Sequence, residues 1–501
     1  MPEFILAVIY SALFIFIIRK HSFFHTESIS RNAMTFAFIV KILFGFLFWA
    51  VYFFHASYKN YSDAFMYFED GKAIYQALYE KPSAYLKILL GFNDPSLQVY
   101  LDNTGHWERT FNQGLYNETR TVIRFNAIVD IFSFGNYHVH TVFMCFLSFM
   151  GLTGIYKTFL PFFQEKKKEL SAIVFFLPSV LFWGSGVLKE GLILFSEGML
   201  LYHWFKMIKE GYSLKRSFYL LIFLLLLSVT KMYMLVILVG SLMLYTIYLK
   251  TKSRSIAVKV IGVLLLIFSS VLVLYKYDLP FMLMEKQRHS YNISRGGSYL
   301  GHINQQKFIY IDPRIENRIV RIKEQPGSCK ISSGVPYIAW YAGKPLDTVF
   351  VNSSTDTTTY WIYYDQLPAG SSIKPSLLKP TYGSVLINTP AAFIITAFRP
   401  YLFEMKNPLM LLAAAENTFL ILFILICLFF YTSPLHYKSL IAFSLLIAAL
   451  LFVLTGLTTP ILGAVVRYRV PALPFFLIAF LFILDKEKLL AKLPFLKKIL
   501  G

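Results

Sequence analysis

Cysteine is scarce in this 501-residue chain. Cys145, Cys329 and Cys427 lie far apart, too few and too scattered for a disulfide framework or a metal site. Charge is scarce as well: 15% of residues are Asp, Glu, Lys or Arg, against roughly a quarter in a soluble protein. That deficit, beside 56% hydrophobic residues, excludes an ordinary soluble enzyme, a disordered chain and a fibrous one. Acidic residues are the scarcer sign, 28 against 48 basic, for a net charge of +20. In a soluble chain that excess would suggest nucleic acid. Beside long apolar runs it reads instead as charge that orients a membrane protein, with no nucleic-acid partner. Repeats of fixed period and low-complexity linkers are absent too.

What is abundant is apolar and aromatic: 50 Phe, 33 Tyr and 6 Trp. About 20 apolar residues carry a helix across the hydrocarbon core. Runs near 3–18, 33–54, 137–160, 170–188, 190–205, 217–230, 232–249, 256–276, 409–431, 439–455 and 470–484 qualify as spans. Two cuts need argument. Residues 171–207 are too long for one span, and Gly184-Ser185-Gly186 followed by Lys189-Glu190 reads as a tight turn at a membrane face. Residues 217–249 are interrupted at Lys231, and both flanks are basic: Lys206, Lys209, Lys215 and Arg216 before, Lys250, Lys252, Arg254 and Lys259 after. Basic flanks share the cytoplasmic side, which requires two short spans rather than one. The expected fold is an all-α polytopic membrane protein of about 11 transmembrane helices in a bacterial inner membrane. Its N-terminus is external, its C-terminus internal, and two long segments, 55–135 and 277–408, face the periplasm. Span one, trailed by Arg19-Lys20, reads as an anchor rather than a cleaved signal peptide.

The first outer segment opens with a helix pattern. Phe65, Phe68, Ile74, Tyr75 and Leu78 suggest an amphipathic helix along the interface, with Asp63 at its start and Tyr67, Glu69 and Asp70 following. Asp63 reads either as an N-cap, a role open to Ser62 too, or as a carboxylate serving as general base or metal ligand. A second interfacial stretch, 107–133, holds Arg109, Arg120, Arg124 and Asp130.

This layout of a span, a long outer loop beginning with an Asp and an interfacial helix, and many short-looped spans resembles the GT-C glycosyltransferases. Those include the protein O-mannosyltransferases and the lipid A aminoarabinose transferases. The stretch Arg467-Tyr468-Arg469-Val470-Pro471-Ala472-Leu473-Pro474 looks like the Arg-Tyr-x-x-Pro-x-x-Pro ending before the last helix of such enzymes. Residues 177–190, LPSVLFWGSGVLKE, resemble a segment of uncharacterised bacterial members, a Bacteroidetes-type branch. The resemblance covers roughly 33–300 and 390–484. It implies a polyprenyl-phosphate-linked sugar as donor, Asp63 as the base, and a divalent cation, Mg²⁺ or Mn²⁺, held by Asp63 where one is used. The chain departs from the mannosyltransferases at Asp63-Ala64, where an Asp-Glu pair is common. Glu69 and Asp70 therefore stay alternatives for the base.

A lipid-linked phosphate leaves as an anion, so cations at headgroup depth lower the barrier. Lys189, Lys231, Arg295, Arg399, Arg467 and Arg469 lie at outer ends of different expected spans and are the candidate phosphate-binding set. Each has a plainer alternative: Lys231 as a snorkelling lysine at a turn, Arg467 and Arg469 as interfacial anchors, and Arg295-Gly296-Gly297 as an ordinary turn. Pro400 ends an interfacial helix at Arg399. Lys41, Glu197 and Glu416-Asn417 fall inside spans and need partners, Lys41 with Glu416 being the expected structural pair.

Residues 302–385 differ. Alternation in KFIYI, NRIVRIK, PYIAWYA, DTVFV and TTTYWIYY is strand patterning, and about 80 residues suffice for a small periplasmic β-domain, a sandwich or barrel. The insert carries no catalytic set; it suits acceptor or partner docking, or a lid, with Cys329 buried and inert. Asp347-Thr348-Val349 and Asp356-Thr357-Thr358 resemble short envelope-protein glycosylation sites. The chain divides into an additional N-terminal span and loop (1–32), a membrane core (33–300), the insert (302–385), and an interfacial helix with the last three spans and basic tail (386–501). The expected activity is transfer of a sugar from undecaprenyl phosphate to a periplasmic protein, lipid or glycan. The expected rival is a non-catalytic membrane scaffold or envelope-complex subunit keeping the same fold, since fold alone does not fix function.

Overall fold

A computed structural model describes residues 2–26, 28–54, 62–92, 94–107, 118–250, 278–302, 305–311, 319–322, 324, 328–331, 336–341, 348–350, 360–366, 368–432 and 436–496. Two compact units emerge: Met1–Val260 with Phe419–Leu451 and Val470–Gly501, and Ile261–Thr418 with Phe452–Arg469.

The first unit is helical: α1 (Pro2–Lys20), α2 (Arg31–Phe54), α3 (Asp63–Glu80), α4 (Pro82–Leu90), α5 (Gln98–Leu101), α6 (Glu118–Ser133), α7 (Tyr137–Phe159), α8 (Lys167–Phe175), α9 (Pro178–Trp183), α10 (Lys189–Glu210), α11 (Leu214–Thr230) and α12 (Met232–Lys250). Its tightest seam is α7 on α10. A Cβ on Gly198 would sit 2.0 Å from the Gly151 carbonyl oxygen, and one on Gly151 2.0 Å from that of Leu194. Glycine lets the two backbones touch, and where lipid removes most of the hydrophobic drive, that dispersion contact holds helices together. Both interruptions expected in the long apolar runs occur. Gly184–Leu188 is non-helical between α9 and α10, and Lys231 has extended backbone between α11 and α12.

The second unit begins with α13 (Leu279–Arg295), followed by β1 (Gly297–His302), β2 (Gln305–Ile311), β3 (Ile319–Arg321), β4 (Ser328–Ile331), β5 (Pro336–Tyr341), β6 (Thr348–Phe350) and β7 (Tyr360–Gln366), then α14 (Tyr382–Phe398). The strands form one antiparallel sheet in the order β3-β4-β7-β1-β2-β5-β6. Two expectations are corrected here. The described strands make a single open sheet rather than a sandwich or barrel, and the sheet starts at Gly297, inside the stretch read as a plain turn. Gly296 and Gly297 take φ of 78° and 100°, which glycine tolerates. The chain therefore turns and enters the central strand at once. The buried Tyr310 hydroxyl donates to the Gly296 carbonyl at 2.8 Å and fastens β2 to the end of α13. Gln287 is a buried amide used at both ends: it donates to the carbonyls of Ser376 (3.1 Å) and Leu457 (2.8 Å) and accepts from Leu378 N–H (2.8 Å). Cys329 is buried. The Asp356 motif and Asp347 lie outside the described residues.

The remaining elements are α15 (Pro408–Phe429), α16 (Lys438–Thr458), α17 (Leu462–Tyr468), α18 (Leu473–Ile483) and α19 (Lys486–Lys492). Among the described residues, five helices are long and apolar enough to cross a membrane: α2, α7, α12, α15 and α16; the bent pair α17 and α18 would make a sixth. The other expected spans correspond to α1, to shorter helices (α8 with α9, and α11), to the more charged α10, and to 256–276, which is outside the described residues. Leu43, Leu225, Val236 and Phe419 are each more than half exposed on these helices. Such apolar surface suits lipid and would be a liability in water. The chain is a helical, membrane-embedded protein.

Candidate functional site

Lys189, the first residue of α10, is delivered by the loop 184–188, and α2 with α7 sets that loop. Ser148 Oγ donates to the Gly184 carbonyl (2.7 Å), Cys145 Sγ donates to that of Ser185 (3.7 Å), and a Cβ on Gly186 would meet the Phe48 ring at 2.9 Å. Lys231 is delivered by the break between α11 and α12. Its carbonyl accepts from Met234 N–H, and the preceding Val229 carbonyl accepts from Thr121 Oγ1 on α6 at 2.6 Å.

Both ammonium groups meet at the start of α6. Glu118 Oε1 lies 3.1 Å from Lys189 Nζ; Lys231 Nζ lies 2.7 Å from Oε1 and 2.6 Å from Oε2. Lys189 also donates to Thr119 Oγ1 at 3.2 Å and stands 5.7 Å from the centroid of the Tyr67 ring. Tyr67 belongs to a buried apolar cluster that also includes Phe48, Ala64, Trp107, Val122, Leu188 and Leu192. Burial works to raise the Glu118 pKa, but the charges of Lys231 and Lys189 outweigh it and hold the carboxyl down at about 2. Burial pulls Lys189 down to about 8 against the opposing pull of Glu118 and, more weakly, of Asp63.

Asp63 therefore belongs to this group, close enough for its carboxylate to favour the Lys189 ammonium. It is half-buried and occupies the first turn of α3; the N-cap position falls to Ser62, whose side chain makes no capping bond. The two alternative carboxylates are placed differently. Asp70 is buried and accepts from the backbone N–H groups of Gly105 (2.8 Å) and His106 (2.7 Å), so it holds the 105–107 turn. Glu69 is exposed and pairs with Lys72 at 3.2 Å.

The four arginines of the candidate set lie in the second unit. Arg469 is fully buried. It donates to the carbonyls of Thr396 (3.1 Å) and Ala397 (3.4 Å) and to Asn417 Oδ1 (2.5 Å), with Glu416 at 3.8 Å. It is committed to the end of α14. Glu416 thus pairs with Arg469 rather than with Lys41, whose buried Nζ has no hydrogen-bond partner among the described residues. Arg399 forms a two-pronged pair with Glu404. Arg295 donates to Asn292 Oδ1 (3.0 Å) and lies over Tyr291; Arg467 lies 5.7 Å from the centroid of the Tyr468 ring.

Of the interfacial arginines in 107–133, Arg109 lies outside the described residues. Arg120 and Arg124 both stack on Trp107, each at 4.9 Å, and donate to the carbonyls of Trp107 and Ile88. Asp130 joins a buried network with Ser133, His140 and Asn126. Ser133 and Asp130 approach the same ring nitrogen of His140, Nε2, whereas a nucleophilic triad needs them on opposite nitrogens. The network is a helix clamp between α6 and α7.

Among the described residues no three of His, Cys, Asp or Glu converge as a metal site. The described carboxylates of the candidate site, Asp63 and Glu118, each have an ammonium as neighbour, which repels a cation. That donor set does not fit the divalent ion that the family resemblance leaves open.

Glu118 and Thr119 were not singled out in the sequence, where only their neighbours stood out as basic. An acidic residue in a first helical turn is ordinary, and nothing local marks it. No family model, curated protein or solved structure matches this chain.

Proposed function

We propose that the chain is a GT-C-type glycosyltransferase that moves a sugar from a polyprenyl-phosphate donor to an acceptor at the periplasmic face of a bacterial inner membrane. The observation that carries this reading is Asp63 beside Lys189, with Lys231 completing a pair of cations around Glu118. In the reaction the acceptor oxygen attacks the anomeric carbon and gives its proton to Asp63. The bond from that carbon to the phosphate oxygen breaks, and the electron pair leaves with the polyprenyl phosphate. Lys189 and Lys231 stabilise the charge that grows on that oxygen, which favours the transition state over the bound ground state. The bilayer brings the donor laterally, and the sheet of the second unit suits acceptor or partner binding.

A second reading has one observation in its favour. Asp63 and Glu118 together balance Lys189 and Lys231, so the group is charge-balanced as it stands, as expected for a scaffold that keeps the fold without the chemistry. Substituting Asp63→Asn in the native host separates the two. The enzyme reading expects loss of a specific envelope glycan at normal membrane levels of the protein. If Asp63→Asn, Glu69→Gln and Asp70→Asn all leave the glycans intact while gene deletion has a phenotype, the scaffold reading stands.

A further inference from the structure

Four helices begin at this one group of side chains. Asp63, Glu118 and Lys189 are the first residues of α3, α6 and α10, and Lys231 immediately precedes α12. The four formal charges cancel in pairs. Each helix N-terminus adds a partial charge of roughly +0.5, and the C-terminus of α11, capped by Lys231, takes back about as much as one of them; the balance still leaves the site more positive than its side chains suggest and suited to an anion. The ion pairs are also unequal in burial: the Lys189 and Lys231 side chains are 9% and 11% exposed, whereas Glu118 is 34% exposed. The cations are fixed in the protein, and their carboxylate is the partner with room to leave.

We propose that Glu118 is a displaceable counter-ion: its carboxylate occupies the place of the lipid phosphate between Lys189 and Lys231, and a phosphate monoester or diester headgroup binds by swinging it aside. This rests on the reading of Lys189 and Lys231 as the phosphate site and gives that site a gate. Two oxygens spread over two ammonium groups match the two non-bridging oxygens of a phosphate diester, or two of the three of a monoester, and Thr119 Oγ1 offers a further hydroxyl beside Lys189. The empty site avoids two uncompensated buried cations, which would be costly, and an occupant without a comparable anionic charge cannot dislodge the carboxylate. Protonation does not open the gate near neutral pH, because the two lysines keep Glu118 ionised.

The experiment uses the full chain in detergent micelles, titrated with undecaprenyl monophosphate and, as a control, the neutral undecaprenol. Glu118→Gln is expected to bind the monophosphate about tenfold tighter than wild type, since a competing charged contact has been removed. Undecaprenol binding should not change, and Lys231→Met should abolish the gain. Should Glu118→Gln fold poorly, Glu118→Asp keeps the charge on a shorter arm and is expected to give a smaller gain of the same sign. Unchanged or weaker monophosphate binding in whichever of these variants folds overturns the gate and makes Glu118 a permanent structural partner. Failure of the enzyme reading looks different: tighter monophosphate binding with no glycan change in any of Asp63→Asn, Glu69→Gln and Asp70→Asn keeps the gate and removes the transferase.

Discussion

Lys231 reaches back 113 residues to Glu118, its Nζ 2.6 Å from Oε2, and so ties the break between α11 and α12 to the first turn of α6. The pair has a pH signature. Glu118 titrates at about 2 in the folded protein against an ordinary value of 4.5. A depressed folded pKa means the unfolded chain binds the proton first. The stabilisation is then present above 4.5 and is lost as pH falls from there towards 2. Melting temperatures in detergent should therefore fall between about pH 6 and about pH 3 by less in Glu118→Gln than in wild type. An equal fall in both would mean that Glu118 carries none of the acid sensitivity.

Asp70 is expected to hold a turn rather than a proton. Asp70→Ala removes the acceptor of the exposed Gly105 and partly buried His106 N–H groups, which water can partly replace, at about 1 kcal/mol for each hydrogen bond lost. Limited proteolysis near 102–107 should accelerate, and the melting temperature should drop. If Asp70→Asn abolishes glycan transfer with no change in proteolysis, the base has been misplaced.

The α7–α10 seam tolerates no added methyl. In Gly198→Ala the new Cβ would start 2.0 Å from the Gly151 carbonyl oxygen, and the obstacle is backbone rather than a side chain that can rotate away. We expect the two helices to separate and the yield of monodisperse protein on size exclusion to collapse. Gly240→Ala, where a Cβ meets nothing within 4 Å, is the control and should gain slightly from its better helix propensity.

Arg469→Met removes the fork that holds the end of α14 and leaves Glu416 without its cation. Breaking a buried charged network in this way costs roughly 3–5 kcal/mol. Arg469→Lys keeps the charge but cannot reach three acceptors in one plane, so it should recover only part of the loss. Thermal melts of the two variants in the same detergent give the ordering. Wild-type stability in Arg469→Met would show that the residue is free to serve a ligand instead.

The legible parts of the fold were those written in local composition. Lys231 in an otherwise apolar run announced its break, Gly184-Ser185-Gly186 announced another, and Asp63 began a helix whose buried stripe, Ala64, Tyr67, Phe68, Gly71, Ile74 and Tyr75, has the helical period. β1 and β4 were missed for the same reason in reverse. Gly297-Ser298-Tyr299-Leu300-Gly301-His302 has turn composition, yet it runs between β2 and β7, whose backbone groups complete its hydrogen bonds on both sides.

Membrane embedding, the two breaks and the candidate cations Lys189 and Lys231 follow from the sequence alone, because apolar run length and charge position decide where a chain can sit in a bilayer. Tertiary structure alone decided which charges meet. Arg469 and Lys231 look alike as basic residues at expected span ends, yet one is buried among carbonyls and the other holds a partly exposed carboxylate. The difference lies in what packs around each, supplied by residues 113 positions away for Lys231 and 52 to 73 positions away for Arg469.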